Sequence, residues 1–282
     1  AVRADAGAPS RWRCARLGLV LVPLWVVGTG RAMPAQQVDA TVDAGATAIR
    51  YGDSLATGAA TLAPSIRIAT PRATLGAAAS IAALGTSAWA AQGSIDGSFF
   101  TPQAAGLRGE LVANAGGSDR EDGIETGQLE ALGRVHLMRG GWGLWAGGGA
   151  GRAWDGSSGH TLVLGDAGAW LRRGSLVTVI TATPTAVDDS IRYTDVVAAV
   201  RFTRSRVELG AAVGARAGHG LAASTGGRTW GALSGVVWLT SRLGIVASAG
   251  TYPPDLAQGF PDGRYVSLGV RLIAHPAWHS AL

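Results

Sequence analysis

The segment Tyr265-Val-Ser-Leu-Gly-Val-Arg-Leu272 alternates between two kinds of side chain. Its even-numbered residues are all Val or Leu, and its odd-numbered residues are Tyr, Ser, Gly and Arg. Because successive side chains of a β-strand point to opposite sides of the sheet, this pattern predicts a strand with one apolar face and one small or polar face. The same alternation recurs in 206–213 and 128–137, and no sustained helical period follows Val38.

Extending this pattern along the chain predicts about fourteen strands, with 12–16 as the range. The predicted strands cover 38–51, 57–69, 73–84, 86–100, 104–116, 125–138, 142–154, 160–171, 175–183, 191–203, 206–217, 229–239, 242–251 and 264–274. Short connections alternate with longer polar ones, except near Gly85. This alternation is typical of antiparallel hairpins whose two ends face different compartments, and an even number of strands brings both ends of the sheet to the short-turn side.

The first 35 residues have the composition of a secretory signal peptide. Four Arg residues precede an apolar run, Leu17–Val27, and small residues follow up to Ala35. This order is that of a cleaved signal, and the run is too short for a membrane-spanning helix of roughly 20 residues. The alternative is a buried helix of a soluble domain. Residues 1–10 precede an ordinary basic region and are interpreted as an artefact of the assigned start.

Charge and cysteine content exclude several classes of function. The chain of 282 residues has a net charge of +5, and all 24 basic residues are Arg. Residues 1–35 hold five of these Arg residues and one acid, which leaves +1 for the remainder. A nucleic-acid partner is therefore not expected, because such binding needs clustered surface charge. The lone Cys14 excludes a disulfide framework within the chain. We divide the chain into a signal peptide (1–35), a barrel (36–274) and a short tail (275–282).

Aromatic residues near the predicted strand ends suggest two girdles at the membrane interfaces. The girdle on the long-loop side comprises Tyr51, Trp154, Tyr193, Trp230, Tyr252 and Tyr265. The girdle on the short-turn side comprises Phe99, Phe100, Trp142, Trp170, Phe202 and Trp238. The alternative is the general preference of aromatic residues for strands, which predicts mid-strand positions such as Trp89 and Trp145.

The signal peptide, the alternating loops and the last strand (Arg264–Ala274) together resemble bacterial outer-membrane β-barrel proteins of the porin type. The resemblance covers most of the chain and concerns architecture. It implies a transmembrane antiparallel up-and-down barrel in the outer membrane of a diderm bacterium, with membrane lipid and the barrel assembly machinery as partners. The last strand of such barrels usually ends in an aromatic residue at the chain terminus. Here the last strand ends in Leu272-Ile-Ala274, and a tail follows it. The alternative fold is a soluble two-sheet sandwich.

Alternation assigns a set of charged side chains to the lumen of this barrel. These candidates are Arg67, Arg108, Glu110, Glu130, Arg134, His136, Asp166, Asp195, Arg201, Glu208, Arg216 and Arg271. Mixed charges separated by Gly and Ala favour a passive pore or transporter for small polar solutes, because opposed charges orient solutes. Two alternatives remain: paired charges that brace the wall of a structural or surface-interaction barrel, and a lipid-modifying enzyme.

Evidence for catalysis or for a metal is weak in this sequence. His160 lies near Ser157 and Ser158, and His219 precedes Ser224, but neither pair has a nucleophile elbow. The glycines at 147–149 do not form a phosphate loop because no Lys follows, and they are interpreted as relief of crowding or as points of strand curvature. The acidic groups at 119–122 and 188–189 are interpreted as solvated loops. We expect no catalytic residues, no metal and no cofactor.

Overall fold

The computed structural model describes residues 37–51, 55–84, 88–120, 125–156, 158–188, 190–219, 228–251 and 263–274. The described residues form fourteen β-strands. The strands are β1 (Gln37–Tyr51), β2 (Leu55–Ala69), β3 (Ala73–Leu84), β4 (Ala88–Phe100), β5 (Leu107–Arg120), β6 (Glu125–Arg139), β7 (Trp142–Asp155), β8 (Ser158–Arg173), β9 (Leu176–Val187), β10 (Ile191–Arg204), β11 (Val207–His219), β12 (Arg228–Trp238), β13 (Leu243–Thr251) and β14 (Gly263–Ile273). The predicted signal peptide and C-terminal tail lie outside the described residues.

The strands form one closed antiparallel barrel. Each strand pairs with its neighbour in sequence, and β14 pairs with β1 from Thr41↔Ile273 to Tyr51↔Gly263. Closure leaves the sheet without an edge, so the backbone groups along the wall find partners within the protein. The predicted all-β barrel of about fourteen strands is confirmed, and the sandwich alternative is excluded. No helix in the described part of the chain is long and apolar enough to cross a membrane.

At one end of the barrel, which we call the turn end, three connections contain only two residues between strands. Gly140, Gly174 and Ser205 occupy the first position of these turns and have φ angles of 58°, 56° and 41°. Few L side chains adopt this left-handed region, which explains glycine at two of the three turns.

At the opposite end, which we call the loop end, the strict alternation of short and long connections predicted from the sequence is wrong. β7 and β8 are separated by two residues, whereas longer connections follow β11 (220–227) and β13 (252–262). At the loop end β5 extends beyond its predicted bound at 116, because its pairing with β6 continues to Asp119↔Glu125. At the turn end the connection before β5 is longer than predicted, since that strand begins at Leu107 rather than at 104.

The outer face of the barrel is an apolar band. Large exposed hydrophobic side chains occupy alternate positions along the strands, with exposed fractions of 62% at Val213, 65% at Leu233 and 62% at Leu268. The same pattern holds in every strand from β2 to β14, and most outward positions in the middle of the wall are Val, Ala, Leu, Ile or Gly. Exposed apolar area of this extent is stable against lipid and not against water. The fold is therefore a transmembrane β-barrel.

This assignment of faces predicts that Arg is unfavourable at the middle of the outer face and tolerated on the inner face. Val213→Arg should lower the free energy of unfolding in lipid vesicles by about 2–4 kcal/mol, because it places a charge in hydrocarbon. Ser94→Arg, at an exposed inward position in the middle of β4, is the matched control and should change it by less than about 1 kcal/mol. Urea titrations of both variants in vesicles measure the difference. Equal destabilisation would contradict the assignment of faces.

Candidate functional site

The inner face carries nearly all the mid-wall charges of the described strands. The registers of the sheet place each charged candidate on the face opposite the apolar band: Arg67, Arg108, Glu110, Glu130, Arg134, His136, Asp166, Asp195, Arg201, Glu208, Arg216 and Arg271. The structure places eight of them in three separate groups, pairs Arg271 with Asp43, and leaves three without an ionic partner among the described residues. The first group lies on β5, β6 and β8, whereas the second and third lie toward opposite ends of β10 and β11. The groups also differ in how far their side chains are exposed to the lumen.

The first group joins β5, β6 and β8. Arg134 Nη1 lies 3.3 Å from Glu110 Oε2, and Arg134 Nε forms an ion pair with Asp166. His136 Nε2 lies 2.8 Å from the same Glu110 oxygen. Asp166 is two strands away from Arg134, and the intervening position in β7 is Gly147. Because glycine has no side chain, Arg134 can cross β7 to reach Asp166.

A layer of apolar side chains lies on the inner face beside this group. Val112, Leu132, Leu162 and Leu164 form one buried cluster. Leu132 and Leu164 are both register partners of Gly149, so they flank the same glycine of β7. A Cβ atom at Gly149 would overlap the carbonyl oxygen of Ala131. The glycines of β7 therefore give the large side chains of β6 and β8 room to pack inside the wall, consistent with the relief of crowding interpreted from the sequence.

The second group lies near the turn end on β10, β11 and β12. Glu208 accepts hydrogen bonds from Arg201 Nη2 at 2.5 Å and from Trp238 Nε1 at 3.0 Å. The Glu208 side chain is 10% exposed and that of Arg201 is 63% exposed. The acid is therefore enclosed by the wall, and the guanidinium faces the lumen.

The third group lies toward the loop end. Arg216 donates two hydrogen bonds to the Asp195 carboxylate, at 2.7 and 2.6 Å, and its guanidinium lies 4.3 Å from the centre of the Tyr193 ring. Near the turn end, Arg271 makes a similar bidentate contact with Asp43 across the closing pair of strands, at 2.8 and 2.7 Å. Bidentate pairs of this kind hold both side chains in one geometry. The partner Asp43 was not among the sequence candidates, although its odd position in β1 would have assigned it to the inner face.

Three candidate charges have no ionic partner in the part of the chain that the structure describes, and one of them binds a backbone group. Two of the three are Arg67 and Glu130. Arg108 donates to the carbonyl oxygen of Pro71 at 2.6 Å, and its guanidinium lies 4.0 Å from the centre of the Phe100 ring. Arg108 therefore links β5 to the turn between β2 and β3.

The inner wall formed by β2, β3 and β4 differs from the rest because its side chains are small, polar and exposed. Its exposed inward residues are Ser65, Arg67, Ala78, Gln92, Ser94 and Asp96. In contrast, inward residues of β5–β8 and β11–β12 such as Leu132, Asp166 and Glu208 are buried. Because all these residues face the same enclosed interior, the exposed set marks the side of the interior that side chains leave unfilled. We call the first surface the open wall and the second the filled wall.

The two predicted aromatic girdles are correct only in part. Phe99, Trp142, Trp154 and Phe202 lie on the outer face. Six others lie on the inner face: Phe100, Trp170, Tyr193, Trp230, Trp238 and Tyr265. Tyr252 and the side chain of Tyr51 lie outside the described residues. The inward rings pack over glycine or beside charge, as Trp230 does over Gly214 and Trp238 does beside Glu208.

The three histidines of the barrel region have different surroundings. His136 is engaged by Glu110, and His160 Nδ1 lies 2.9 Å from Asp188 Oδ2, whereas His219 is exposed at the end of β11. Three serines were named as neighbours of His160 and His219: Ser158 is exposed at the start of β8, whereas Ser157 and Ser224 lie outside the described residues. Glu121, Asp122 and Asp189 also lie outside the described residues. Among the described residues, no three His, Cys, Asp or Glu side chains are grouped to hold a metal ion.

The packing over β7 predicts that one glycine is far more sensitive than its neighbour. Gly149→Ala should lower the free energy of unfolding by about 1–3 kcal/mol, because the new methyl group overlaps the Ala131 carbonyl. Gly133→Ala on β6 is the control, since its Cβ would meet no atom within 4 Å. Heat-modifiable gel migration and urea titration measure both variants. Equal tolerance of the two substitutions would mean that β7 does not approach β6 as described.

The turn after β9 predicts an acid-sensitive contact at the loop end. Asp188 accepts hydrogen bonds from His160 and from the Thr161 amide, and these contacts hold the pKa of its carboxyl below the ordinary value of 3.8. The contact therefore stabilises the turn fully at pH values above 3.8. This stabilisation is lost as the pH falls through the lowered pKa of Asp188. The amide chemical shift of Thr161 in micelles should titrate with a midpoint below 3.8 and lose this step in Asp188→Asn. A midpoint at or above the ordinary value would show that the contact does not form.

No protein-family model and no curated protein sequence matches the chain. Among solved structures, it is similar to Salmonella typhi OmpF in complex with daunomycin, with 8% identity over 84% of this chain and 98% of that chain and a TM-score of 0.52. It also aligns with outer-membrane expressed OmpT of Vibrio cholerae (12% identity, 86% and 99% coverage, TM-score 0.44) and with a mutant of the Rh. blastica porin (9%, 84% and 99%, 0.39). The OmpF similarity confirms the fold expected from the resemblance: a closed barrel of the outer-membrane porin type.

Proposed function

We propose that the protein is a passive channel for small polar solutes in the outer membrane of a diderm bacterium. The observation that carries the proposal is the open wall, where inward side chains are exposed although they lie inside a closed barrel. Ser65, Gln92 and Ser94 supply hydroxyl and amide groups, and Arg67 and Asp96 supply charges of both signs. Such a surface stabilises water and hydrated solutes. It contributes nothing to the packing of a filled interior.

The size of the barrel supports the same proposal. The interior of an eight-stranded barrel is just wide enough for side chains to fill, and diameter grows with the number of strands. With fourteen described strands, the side chains of the filled wall occupy one side, and the small side chains of the open wall leave space on the other. The outward apolar band fits a lipid partner, and insertion by the barrel assembly machinery and export by the predicted signal peptide belong to the same proposal.

The proposal assigns no catalytic step to the barrel. His136 is bound to Glu110, and His160 is bound to Asp188 in an exposed turn, so the hydrogen bonds of both rings are to carboxylates. A cofactor and a nucleic-acid partner are likewise not part of the proposal.

A barrel without transport is the second candidate. It is favoured by the ion pairs of the filled wall and by the apolar cluster around Leu132, because both brace the wall without requiring a solute. The two functions differ in whether the open wall borders a continuous aqueous path.

Cysteine accessibility distinguishes them. Three single cysteines are introduced into Cys14→Ala protein: Ser94→Cys on the open wall, Leu164→Cys in the buried inner cluster and Leu233→Cys on the outer face. In planar bilayers, a bulky charged thiol reagent should remove more than about half of the conductance of the Ser94 variant, because the adduct fills the aqueous path. The other two variants should keep their conductance.

One outcome would overturn the channel, and another would overturn the role assigned to the open wall. Protein that inserts and migrates as a folded barrel but gives no conductance steps would favour the structural barrel. Conductance that is equally insensitive to the reagent in all three variants would place the aqueous path away from the open wall.

A further inference from the structure

A recess of about 400 Å³ is present in the wall between β10 and β14. Small inward side chains leave this space: Ala199, Gly210, Ala212 and Ala232. Val236 and Val246 add apolar surface, and Arg201, Glu208, Ser234 and Arg271 add polar groups. A concave apolar volume of this size with a few converging polar groups is the usual form of a small-molecule site.

The acid of the recess is already occupied. One oxygen of Glu208 accepts from Trp238 Nε1 and the other from Arg201 Nη2, and the side chain is 10% exposed. A cationic solute therefore finds no available carboxylate at Glu208. In contrast, Arg201 uses one nitrogen for this contact, and 63% of its side chain faces the lumen.

Arg271 and Ser234 complete the polar end. Both Asp43 oxygens hold the Arg271 guanidinium in place, at 2.8 and 2.7 Å. The Ser234 hydroxyl has no hydrogen-bond partner among the described residues, and its oxygen lies over Gly210, 2.7 Å from where a Cβ atom would stand. The recess therefore offers the Ser234 hydroxyl and the lumen-facing N–H groups of Arg201. The second cation, Arg271, is already paired with Asp43.

We propose that this recess binds a small organic carboxylate with an apolar body. The carboxylate would accept from Arg201 and Ser234, since guanidinium groups match the two oxygens of a carboxylate. The apolar body would lie against Ala199, Ala212 and Val236, where it displaces water. The site deepens the proposed channel function, because it gives the lumen a preference among the polar solutes that enter it.

The test is direct binding of benzoate to the folded full chain in detergent micelles, measured by equilibrium dialysis. Arg201→Gln removes the charge but keeps an amide that can donate to Glu208, and it should weaken benzoate binding at least about tenfold. Ser234→Ala should weaken it about threefold, as expected for the loss of one hydroxyl donor. Arg67→Gln is the matched control, because it removes one exposed inward Arg on the open wall, and it should stay within about twofold of the original protein.

Benzamide, which has the same ring without the charge, should bind at least about tenfold more weakly than benzoate. The proposal is overturned if benzamide binds as well as benzoate, or if Arg67→Gln weakens binding as much as Arg201→Gln does. It is also overturned if folded protein, identified by heat-modifiable migration, binds no benzoate at all. Because binding is measured in micelles, conductance without binding would overturn only the recess, and binding without conductance would overturn only the channel.

Discussion

The backbone of a chain in a bilayer must satisfy its own hydrogen bonds, and the rest of this structure depends on that constraint. Pairing of β1 with β14 closes the sheet, so that every described strand has two neighbours. Closure assigns each residue to one of two faces, and the lipid outside admits only apolar side chains across the middle of the wall. Charged side chains in the middle of the strands therefore lie on the inner face. Their concentration inside the barrel follows from the closure of the backbone ladder.

Unequal packing of this inner face separates the filled wall from the open wall. The glycines of β7 let Arg134 reach Asp166 and let Leu132 pack near Leu164, which covers the acids and the apolar groups together. The register across Gly147 brings Arg134 within reach of Asp166, so the two charges are buried as an ion pair and not singly. No comparable large side chains occupy the middle of β2, β3 and β4, whose inward positions are Thr, Ser, Ala and Gly with a few polar residues. The water-accessible side of the lumen is thus determined by where the large residues are absent.

Alternation in the sequence was sufficient to predict the strands and the face of each charged candidate, because the period of two is a local property. It was insufficient to predict partners such as Asp166 for Arg134, which lie on different strands and depend on two registers and an intervening glycine. The girdles were wrong at six aromatic residues for a different reason: distance from a strand end was considered and alternation was not. Trp238 shares its parity with Val236 and is opposite in parity to Val237, which is 49% exposed. The same pattern that assigned the charges would have placed this ring inside.

In the interpretation of the sequence, bracing of the wall and contact with a solute were alternative roles for the inward charges. A paired charge that is also exposed is compatible with both roles. Arg216 and Arg201 both pair with an acid on a neighbouring strand, yet their side chains are 9% and 63% exposed. Arg216 donates its hydrogen bonds to Asp195 within the wall, beside the ring of Tyr193, and acts as a brace. Arg201 holds Glu208 with one nitrogen and presents the others to the lumen. Since the acid is enclosed and the guanidinium is exposed, the pair is a dipole whose positive end faces the lumen, although its net charge is zero. The depth of each partner, rather than the sum of their charges, therefore determines the potential along the lumen.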